Sequence, residues 1–205
     1  MKLSGTKEKI FDAAIDLISE RGYNGVSVRD IAKMAGIRES SIYSHFINKE
    51  DILNHILDYH YAGMLSKRVD IHSLENEINY MQPRDVFKLI FLNYGKQNDP
   101  RIDKTARIIF MEQYVNAKAK EFVQKHMLEE PVQYYHSLLR MMLSKGRIQD
   151  NISLEIAAQE LNYGFLGIAL DFALVRQDGR DAADILKKLS NHVDFIFDRI
   201  EQQNS

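Results

Sequence analysis

The segment from residue 38 to residue 49 concentrates polar side chains that can form hydrogen bonds with a nucleic acid. It contains a guanidinium, a phenol, an imidazole, an ammonium and three hydroxyls, carried by Arg38, Ser40, Ser41, Tyr43, Ser44, His45 and Lys49. All of these groups can donate to phosphate oxygens, and a guanidinium can also bridge O6 and N7 of guanine. The segment therefore predicts DNA binding, provided that the fold exposes these side chains together.

Catalytic chemistry has no comparable signature in the sequence. Cysteine is absent, which excludes thiolate catalysis, disulfides and cysteine-rich zinc sites. The sequence also lacks Gly-x-Ser-x-Gly, a P-loop, Gly-x-Gly-x-x-Gly and His-Glu-x-x-His. His55 and His60 are five residues apart and so fall on different faces of a helix. We expect no enzyme activity, no catalytic residue, no cofactor and no metal site.

Two short helices and the turn between them must position the polar segment. Apolar residues at helical spacing predict a first helix over residues 4–21. Ser27 followed by Asp30 predicts the capped start of a second helix. Gly36 ends that helix, because glycine adopts left-handed backbone angles without steric cost. A third helix from about Glu39 to His45 then exposes a polar face that fits a major groove about 12 Å wide, which makes the unit a helix-turn-helix.

A resemblance to the TetR family of bacterial repressors is carried by residues 25–53. Their sequence is Gly-Val-Ser-Val-Arg-Asp-Ile-Ala-Lys-Met-Ala-Gly-Ile-Arg-Glu-Ser-Ser-Ile-Tyr-Ser-His-Phe-Ile-Asn-Lys-Glu-Asp-Ile-Leu. The resemblance covers about residues 6–57, and its most specific part is the Tyr-x-His-Phe-x-Asn-Lys-Glu run at residues 43–50. Members of this family are all-helical homodimers that bind palindromic operators, and they usually release DNA when a small ligand enters the carboxy-terminal domain. The resemblance implies the same fold and function here.

Carried over position by position, the resemblance implies phosphate contacts for Tyr43, His45 and Lys49. Lys49 also lies in the first turn of a predicted helix, whose N–H groups and dipole favour an anion. Ser27 is placed for the same role at the start of the second helix. The predicted base contacts are Arg29, Arg38, Ser40 and Ser41. The full predicted DNA-binding set is Ser27, Val28, Arg29, Arg38, Glu39, Ser40, Ser41, Tyr43, Ser44, His45 and Lys49.

Two positions depart from the family pattern, and two others have alternative interpretations. Many relatives have a serine cap where this chain has Arg38, and a glycine or alanine where it has Ser40. The family's sequence preference therefore cannot be carried over. Tyr43 is alternatively a wedge between helices, and Lys49 is alternatively a solvated charge.

The rest of the chain also shows helical patterning, so we predict an all-α fold. The predicted domains are a three-helix DNA-binding domain over residues 1–48 and a larger ligand-binding and dimerisation domain over residues 49–205. Helices are expected near 49–67, 84–97, 101–115, 117–145, 153–176 and 181–202. Segment 68–82 is ambiguous, with helical spacing of apolar residues at 74–80. Asp178-Gly179 predicts a tight turn between the last two helices.

The last two helices are apolar enough to predict a two-fold interface. Residues 152–175 are apolar nearly all round, so this helix needs partners on more than one side. Pairing both helices with a second copy gives a four-helix bundle and a homodimer. The predicted contacts are Leu161, Phe165, Ile168, Phe172, Leu189, Val193, Ile196 and Ile200. The alternative is that both helices only cover an internal core.

Bulky side chains in the middle helices suggest a pocket for a small apolar or amphipathic effector. The predicted lining residues are Phe91, Phe110, Gln113, Tyr114, Tyr135, His136 and Asn162. The alternative is that these side chains are ordinary core. A ligand-independent architectural or division protein with the same head is the rival function.

Charge and hydropathy agree with a soluble DNA-binding protein. Residues 1–49 hold eight Lys and Arg against six Asp and Glu, while the whole chain has a net charge of −2. The first 49 residues thus carry +2 and the remainder −4, a basic head on an acidic body. No stretch approaches the ~18 apolar residues of a membrane span, and no signal peptide opens the chain. We expect a cytoplasmic protein without a membrane partner.

Overall fold

The computed structural model describes residues 5–95, 99–150, 153–177 and 183–201, and every regular element within these ranges is helical. The helices are α1 (Gly5–Arg21), α2 (Val28–Ala35), α3 (Glu39–Ile42), α4 (Lys49–Lys67), α5 (Glu75–Tyr80), α6 (Pro83–Gly95), α7 (Pro100–Glu112), α8 (Ala117–Phe122), α9 (Glu130–Ser144), α10 (Leu154–Gln177) and α11 (Ala183–Glu201). A 3₁₀ turn at His72–Leu74 precedes α5, and a π-helical stretch at Val123–Glu129 joins α8 to α9. The all-α prediction is confirmed.

Most helix ends agree with the sequence-based bounds to within one turn. Helix α3 is shorter than predicted, because it ends at Ile42 and not near His45. There the N–H groups of His45 and Phe46 both bond to the Ile42 carbonyl at 2.9 Å, so the chain tightens into a turn before α4. The predicted Asp178-Gly179 turn lies outside the described residues.

The chain divides into two compact units. The head unit comprises described residues 5–66 and 99–124, and the body unit comprises 67–95, 125–150, 153–177 and 183–201. The head unit therefore contains α4, α7 and α8 in addition to the three predicted helices. The predicted boundary after residue 48 stays a prediction. The compact head unit itself continues to residue 66 and includes residues 99–124.

The head unit is built on one apolar cluster shared by α1, α2, α3, α4 and α7. Its fully buried members include Phe11, Ile31, Ile42, Phe46 and Ile108. Burial of each such side chain stabilises the fold by about 1.5–3 kcal/mol. This cluster therefore stabilises the packing of α2 and α3 on the other helices of the head unit. Helix α7 enters the cluster through Ile108 although it lies far along the chain.

Charged side chains also fasten α7 to α1. The Arg101 guanidinium lies 2.9 Å from Glu8 and 2.9 Å from Asp12, and the Lys104 ammonium lies 2.6 Å from Asp16. These pairs are partly exposed, so each is worth at most about 1 kcal/mol. Their contribution is to fix which face of α7 packs on α1.

The body unit has its own core of aromatic and aliphatic side chains from α5, α6, α9, α10 and α11. Phe87 packs between Phe91, Tyr135 and Phe197, with ring centroids 5.3–6.1 Å apart. Phe165 stacks on Phe91 at 4.6 Å. These separations are those of attractive aromatic pairs.

The Asn162 side chain bonds to the backbone where the π-helical stretch passes into α9. Proline has no N–H, so Pro131 cannot donate to the Met127 carbonyl as an ordinary helical residue would. The Asn162 side chain donates to that carbonyl at 3.0 Å instead, and Asn162 is almost fully buried. A side chain on α10 thereby satisfies the backbone where α9 begins.

Within the described ranges, every helix is either too short or too polar to span a lipid bilayer.

Candidate nucleic-acid interface

Helix α2 begins with a complete capping box. The Asp30 N–H donates to the Ser27 hydroxyl oxygen at 3.1 Å, and the Ser27 N–H donates to the Asp30 carboxylate at 2.9 Å. The Ser27 hydroxyl also donates to the Asp30 carboxylate at 2.5 Å, and this bond, together with that of the Ser27 N–H, holds the pKa of Asp30 below its ordinary value. The predicted helix start at Ser27 is confirmed. Ser27 and Arg29 are both exposed beside this cap, whereas Val28 is half-buried against the head core.

Two glycines make the turns on either side of α2. Gly36 ends the helix with φ 68°, the left-handed conformation expected for it, and the Ile37 N–H closes the turn on the Ala32 carbonyl at 3.0 Å. Gly25 allows the chain to pass the end of α1. A Cβ at residue 25 would lie 2.4 Å from the Arg21 carbonyl oxygen, so no other residue fits without a backbone shift.

The short helix α3 presents polar side chains outward and buries its apolar one. Arg38, Glu39, Ser40 and Ser44 are exposed, Ser41 and His45 are half-buried, and Ile42 is fully buried. Arg38 occupies the cap position in extended conformation but makes no side-chain cap hydrogen bond. Its guanidinium therefore takes no part in capping the helix, whereas a serine hydroxyl at the same position would accept a cap hydrogen bond.

Tyr43 lies at the carboxy-terminal end of α3 with 54% of its surface exposed. Its exposure argues against the alternative of a buried wedge between helices. The buried wedge is supplied instead by Ile42 and Phe46, which are 0% and 2% exposed.

Helix α4 starts with a second reciprocal cap. The Asp51 N–H donates to the Asn48 side chain at 2.8 Å, and the Ile47 N–H donates to the Asp51 carboxylate at 3.0 Å. This fixes the first turn of α4 directly after α3. Lys49 is the first residue of that helix, as the sequence predicts.

The Lys49 ammonium is bound within the head unit. Its Nζ donates to the Tyr23 carbonyl at 2.8 Å and to the Val26 carbonyl at 2.9 Å, and it lies 4.0 Å from the centre of the Tyr23 ring. Burial lowers the pKa of Lys49, and the nearby Glu112 carboxylate acts in the opposite direction. Lys49 is thus not merely a solvated charge. It ties the turn between α1 and α2 to the start of α4.

Glu112 and Tyr23 belong to the same arrangement, and sequence reasoning did not find them. The Glu112 carboxylate accepts the Tyr23 N–H at 2.8 Å. We call Tyr23, Lys49 and Glu112 the turn clasp. The 89 residues that separate Tyr23 from Glu112 explain the omission, because no local pattern connects positions so far apart.

Exposed cations flank helices α2 and α3. Arg21, Arg29, Lys33 and Arg38 are all exposed, and an open cleft of about 660 Å³ between α2 and α3 is bordered by Arg29 and Lys33 and also by Asp30 and Glu39. Exposed cations beside a projecting helix provide the electrostatic attraction that duplex DNA needs. The described residues contain no group of His, Asp and Glu suited to a metal ion.

The seven predicted effector-binding residues fall in both units. Phe110, Gln113 and Tyr114 belong to the head unit, and Phe91, Tyr135, His136 and Asn162 to the body unit. Phe91 and Tyr135 are core residues, Asn162 is engaged by the Met127 carbonyl, and Tyr114 is 86% exposed. His136 borders an open surface cleft of about 620 Å³ with Arg140 and Glu155. Phe91 and Tyr135 are therefore core residues, as the alternative interpretation expects.

The predicted dimer contacts need correction in detail. Leu161, Leu189, Val193, Ile196 and Ile200 are buried in the core of their own body unit. Phe165 and Ile168 pack partly against that core, and Phe172 is half-buried. Four of the five buried residues form the apolar stripe of α11, which packs on the core of its own unit, and Leu161 lies on α10, where apolar residues nearly all round did not show which face turns inward.

A different set of apolar side chains on the last two helices is exposed. On α10 these are Ile156, Tyr163, Leu170 and Leu174, which follow one another at helical spacing, and on α11 they are Leu186 and Phe195. All six are 45–58% exposed. We call the four α10 residues the α10 stripe.

Comparison with known proteins agrees with this geometry. The family model for bacterial regulatory proteins of the tetR family matches residues 10–56, which span α1 to α4. The chain is 35% identical over 89 residues to IcaR of Staphylococcus epidermidis, the negative transcriptional regulator of the biofilm operon icaADBC. That match covers 42% of this chain and 45% of IcaR, so the chain spans less than half the length of this relative.

Two further comparisons extend over most of the chain. YwcC of Bacillus subtilis, an uncharacterized HTH-type transcriptional regulator, is 28% identical over 175 residues, covering 79% of this chain and 75% of YwcC. The solved complex of SmeT with triclosan matches with a TM-score of 0.68 at 21% identity, covering 98% of this chain and 94% of SmeT. The SmeT comparison shows that the two chains share a fold.

Proposed function

Since this chain belongs to the tetR family of bacterial regulatory proteins, we propose that it is a transcriptional repressor that binds a palindromic operator as a homodimer and leaves it when a small ligand binds. The observation that carries the proposal is the exposed polar face of α3, held between two capped helices beside the exposed cations Arg29, Lys33 and Arg38. The negative regulator IcaR, which matches this region, favours repression over activation.

The DNA contacts we propose divide into two classes. Arg38, Arg29, Ser40 and Ser41 are exposed or half-buried on the side of the head that would enter a major groove, so they are suited to contact bases. Ser27, Tyr43, His45 and Lys49 are suited to contact phosphates. Val28, Glu39 and Ser44 complete the proposed interface.

A homodimer is proposed because a palindrome needs two heads. Two recognition helices must lie about 34–36 Å apart to enter successive major grooves. The α10 stripe offers a long apolar surface on one helix, and a two-fold axis would pair it with the same stripe of a second copy. This replaces the buried residues that the sequence suggested.

Release by a small ligand is proposed from the fold. SmeT has the same fold and was solved in complex with triclosan. In this chain the body unit has an aromatic core around Phe87, Phe91, Tyr135 and Phe165 that an apolar molecule could contact. Since these rings pack directly on one another, we propose an apolar or amphipathic effector whose entry separates them.

The proposal is tested by selecting duplexes from a random library with the purified full-length chain. We expect enrichment of an inverted repeat, and loss of enrichment for the Arg38→Ala variant. Absence of any enriched sequence would contradict the proposed function.

Calorimetry then tests the proposed ligand response. A compound that weakens binding to the selected duplex must itself bind more weakly to the DNA complex, by the same factor. If a broad panel of apolar compounds shows no such coupling, the ligand-independent architectural function is favoured.

A further inference from the structure

We propose that Glu112, the last residue of α7, is a positioning residue for the DNA-binding head and acts through the turn that leads into α2. The proposal rests on the proposed function, because it assigns a role in DNA binding to a residue outside the helix-turn-helix. Glu112 is 4% exposed, so its carboxylate cannot be an ordinary solvated surface group.

The turn between α1 and α2 has few backbone partners of its own. The Gly22 N–H bonds to the Ile18 carbonyl of α1, and the Val26 N–H reaches the Tyr23 carbonyl only at 3.4 Å, whereas side chains make shorter bonds to three polar groups of the turn. Glu112 accepts the Tyr23 N–H, and Lys49 donates to the Tyr23 and Val26 carbonyls. A buried or half-buried backbone group without a partner costs as much as a lost hydrogen bond. The turn therefore depends on the clasp for its conformation.

The turn determines where the DNA-binding residues of α2 lie. Val26 is 2% exposed and is followed directly by the Ser27 cap, so a shift of the turn moves the start of the helix. Ser27 and Arg29 lie within its first residues. Lys49, the other side of the clasp, is the first residue of α4 and is itself a proposed phosphate contact.

Glu112 is well placed to hold the turn because its own helix is fixed. Ile108, one turn earlier on α7, is fully buried in the head core. Arg101 and Lys104 on the same helix pair with acidic side chains of α1. The carboxylate is therefore held by a fixed helix, and its hydrogen bond to the Tyr23 N–H fixes the position of the turn.

Electrostatics alone predicts the opposite effect on DNA binding. Removing a carboxylate from a protein that binds a polyanion should strengthen binding, because repulsion from the phosphates falls. A positioning role predicts weaker binding when the same charge is removed. The sign of the change therefore separates the two roles.

The test compares Glu112→Gln and Glu112→Ala with Glu20→Gln in the full-length chain. Glu20 is an exposed glutamate at the end of α1, so its substitution changes the net charge equally. Affinity is measured on the duplex selected by the wild-type chain. We expect Glu112→Ala to weaken binding roughly tenfold, the size of one lost buried hydrogen bond. Glu112→Gln, which keeps an oxygen acceptor, should weaken it less, and Glu20→Gln should leave it unchanged or stronger.

Two further readouts distinguish positioning from general loss of stability. Amide hydrogen exchange of the peptide containing Tyr23, without DNA, should accelerate in Glu112→Ala while the core of α1 stays protected. Lys49→Met combined with Glu112→Gln should weaken binding by less than the product of the single effects, because both residues act on one turn.

Wild-type binding is the reference that keeps the two proposals separate. If the wild-type chain selects no DNA, the proposed function fails. If it does, and both Glu112 variants bind as tightly as wild type with unchanged exchange at Tyr23, the positioning role of Glu112 is overturned. A Glu112→Ala chain that does not fold leaves Glu112→Gln as the deciding variant.

Discussion

Lys49 directs its ammonium at two backbone carbonyls while the side chain stays half-exposed. An ammonium has three N–H donors, so one donor remains after Tyr23 and Val26 are satisfied. A phosphate oxygen can take this third hydrogen bond. The residue can therefore hold the turn and donate to a phosphate at the same time.

Lys49→Met is expected to affect both roles. Affinity should fall similarly for all DNA sequences, and the salt slope of binding should decrease by about one unit, the value for one lost phosphate contact. The free energy of unfolding should fall by about 1 kcal/mol, because two partly exposed hydrogen bonds are lost. Salt titrations and urea unfolding measure the two effects. An unchanged slope with lowered stability would leave Lys49 a purely structural role.

Arg38→Ala is expected to change specificity and not stability. Loss of a guanidinium that bridges two acceptors should cost ~1–3 kcal/mol of operator affinity and relax the preference at one base pair. The free energy of unfolding should stay within about 0.5 kcal/mol, since the side chain is exposed and makes no cap bond. Arg140→Ala, which removes an exposed arginine of the body unit, is the matched control. Equal losses on all duplexes would instead make Arg38 a phosphate contact.

At the scale of elements, α4 and α7 are joined by a buried polar pair. The His60 Nδ1 lies 2.9 Å from the Thr105 hydroxyl oxygen, and that hydroxyl donates to the Ile102 carbonyl at 3.0 Å. Since the hydroxyl proton is used in this way, we assign the Nδ1–H as the donor to Thr105. Burial lowers the pKa of His60 to about 4 from its ordinary 6.5, so the ring is neutral in the folded head unit.

This pair predicts a loss of stability in mild acid. Between pH 6.5 and pH 4 the unfolded chain binds a proton at His60 and the folded chain does not, so the free energy of unfolding falls with pH. The two pKa values give a loss of about 2 kcal/mol between pH 7.5 and pH 5. Urea unfolding of His60→Gln should show a flatter pH dependence than wild type, and His72→Gln, at an exposed position, should not. A His60→Gln profile parallel to that of wild type would contradict this assignment.

The elements also show what sequence reasoning can supply. Capping residues such as Ser27, Gly36 and Asn48 act over three or four residues, so they predicted the helix-turn-helix and the start of α4 correctly. The membership of α7 in the head unit depends on Ile108 and Glu112, which meet residues about ninety positions earlier. Such contacts are decided by tertiary packing and leave no local pattern.

At the scale of the whole molecule, the same distinction applies to the terminal helices. Apolar content correctly predicted that α10 needs partners on several sides, but five of the eight named dimer contacts are core residues of the body unit. Four of these five form the apolar stripe of α11, whose periodicity predicts a buried face but not whether that face meets its own core or a second copy, and α10 has too little polar surface to show which face is inside. Only the folded chain separates the core face from the α10 stripe.

Leu170→Asp is expected to dissociate the proposed homodimer. A two-fold axis places each substitution in the interface twice, and burial of an unpaired carboxylate is strongly unfavourable. Leu89→Asp, which alters a leucine of similar exposure on α6, is the matched control. Analytical ultracentrifugation at micromolar concentration should give a dimer for wild type and Leu89→Asp and a monomer for Leu170→Asp. A monomeric wild type would contradict the dimer proposal.

The central claim is that two copies of the head unit bind one palindromic site. Hydroxyl-radical footprinting of the full-length chain on its selected duplex tests this most directly. We predict two protected patches related by two-fold symmetry, with half-site centres one helical turn of about 10 base pairs, or a multiple of it, apart. Protection should be lost for Arg38→Ala at concentrations that protect fully with wild type. A single asymmetric patch, or uniform protection that ignores sequence, would contradict the claim.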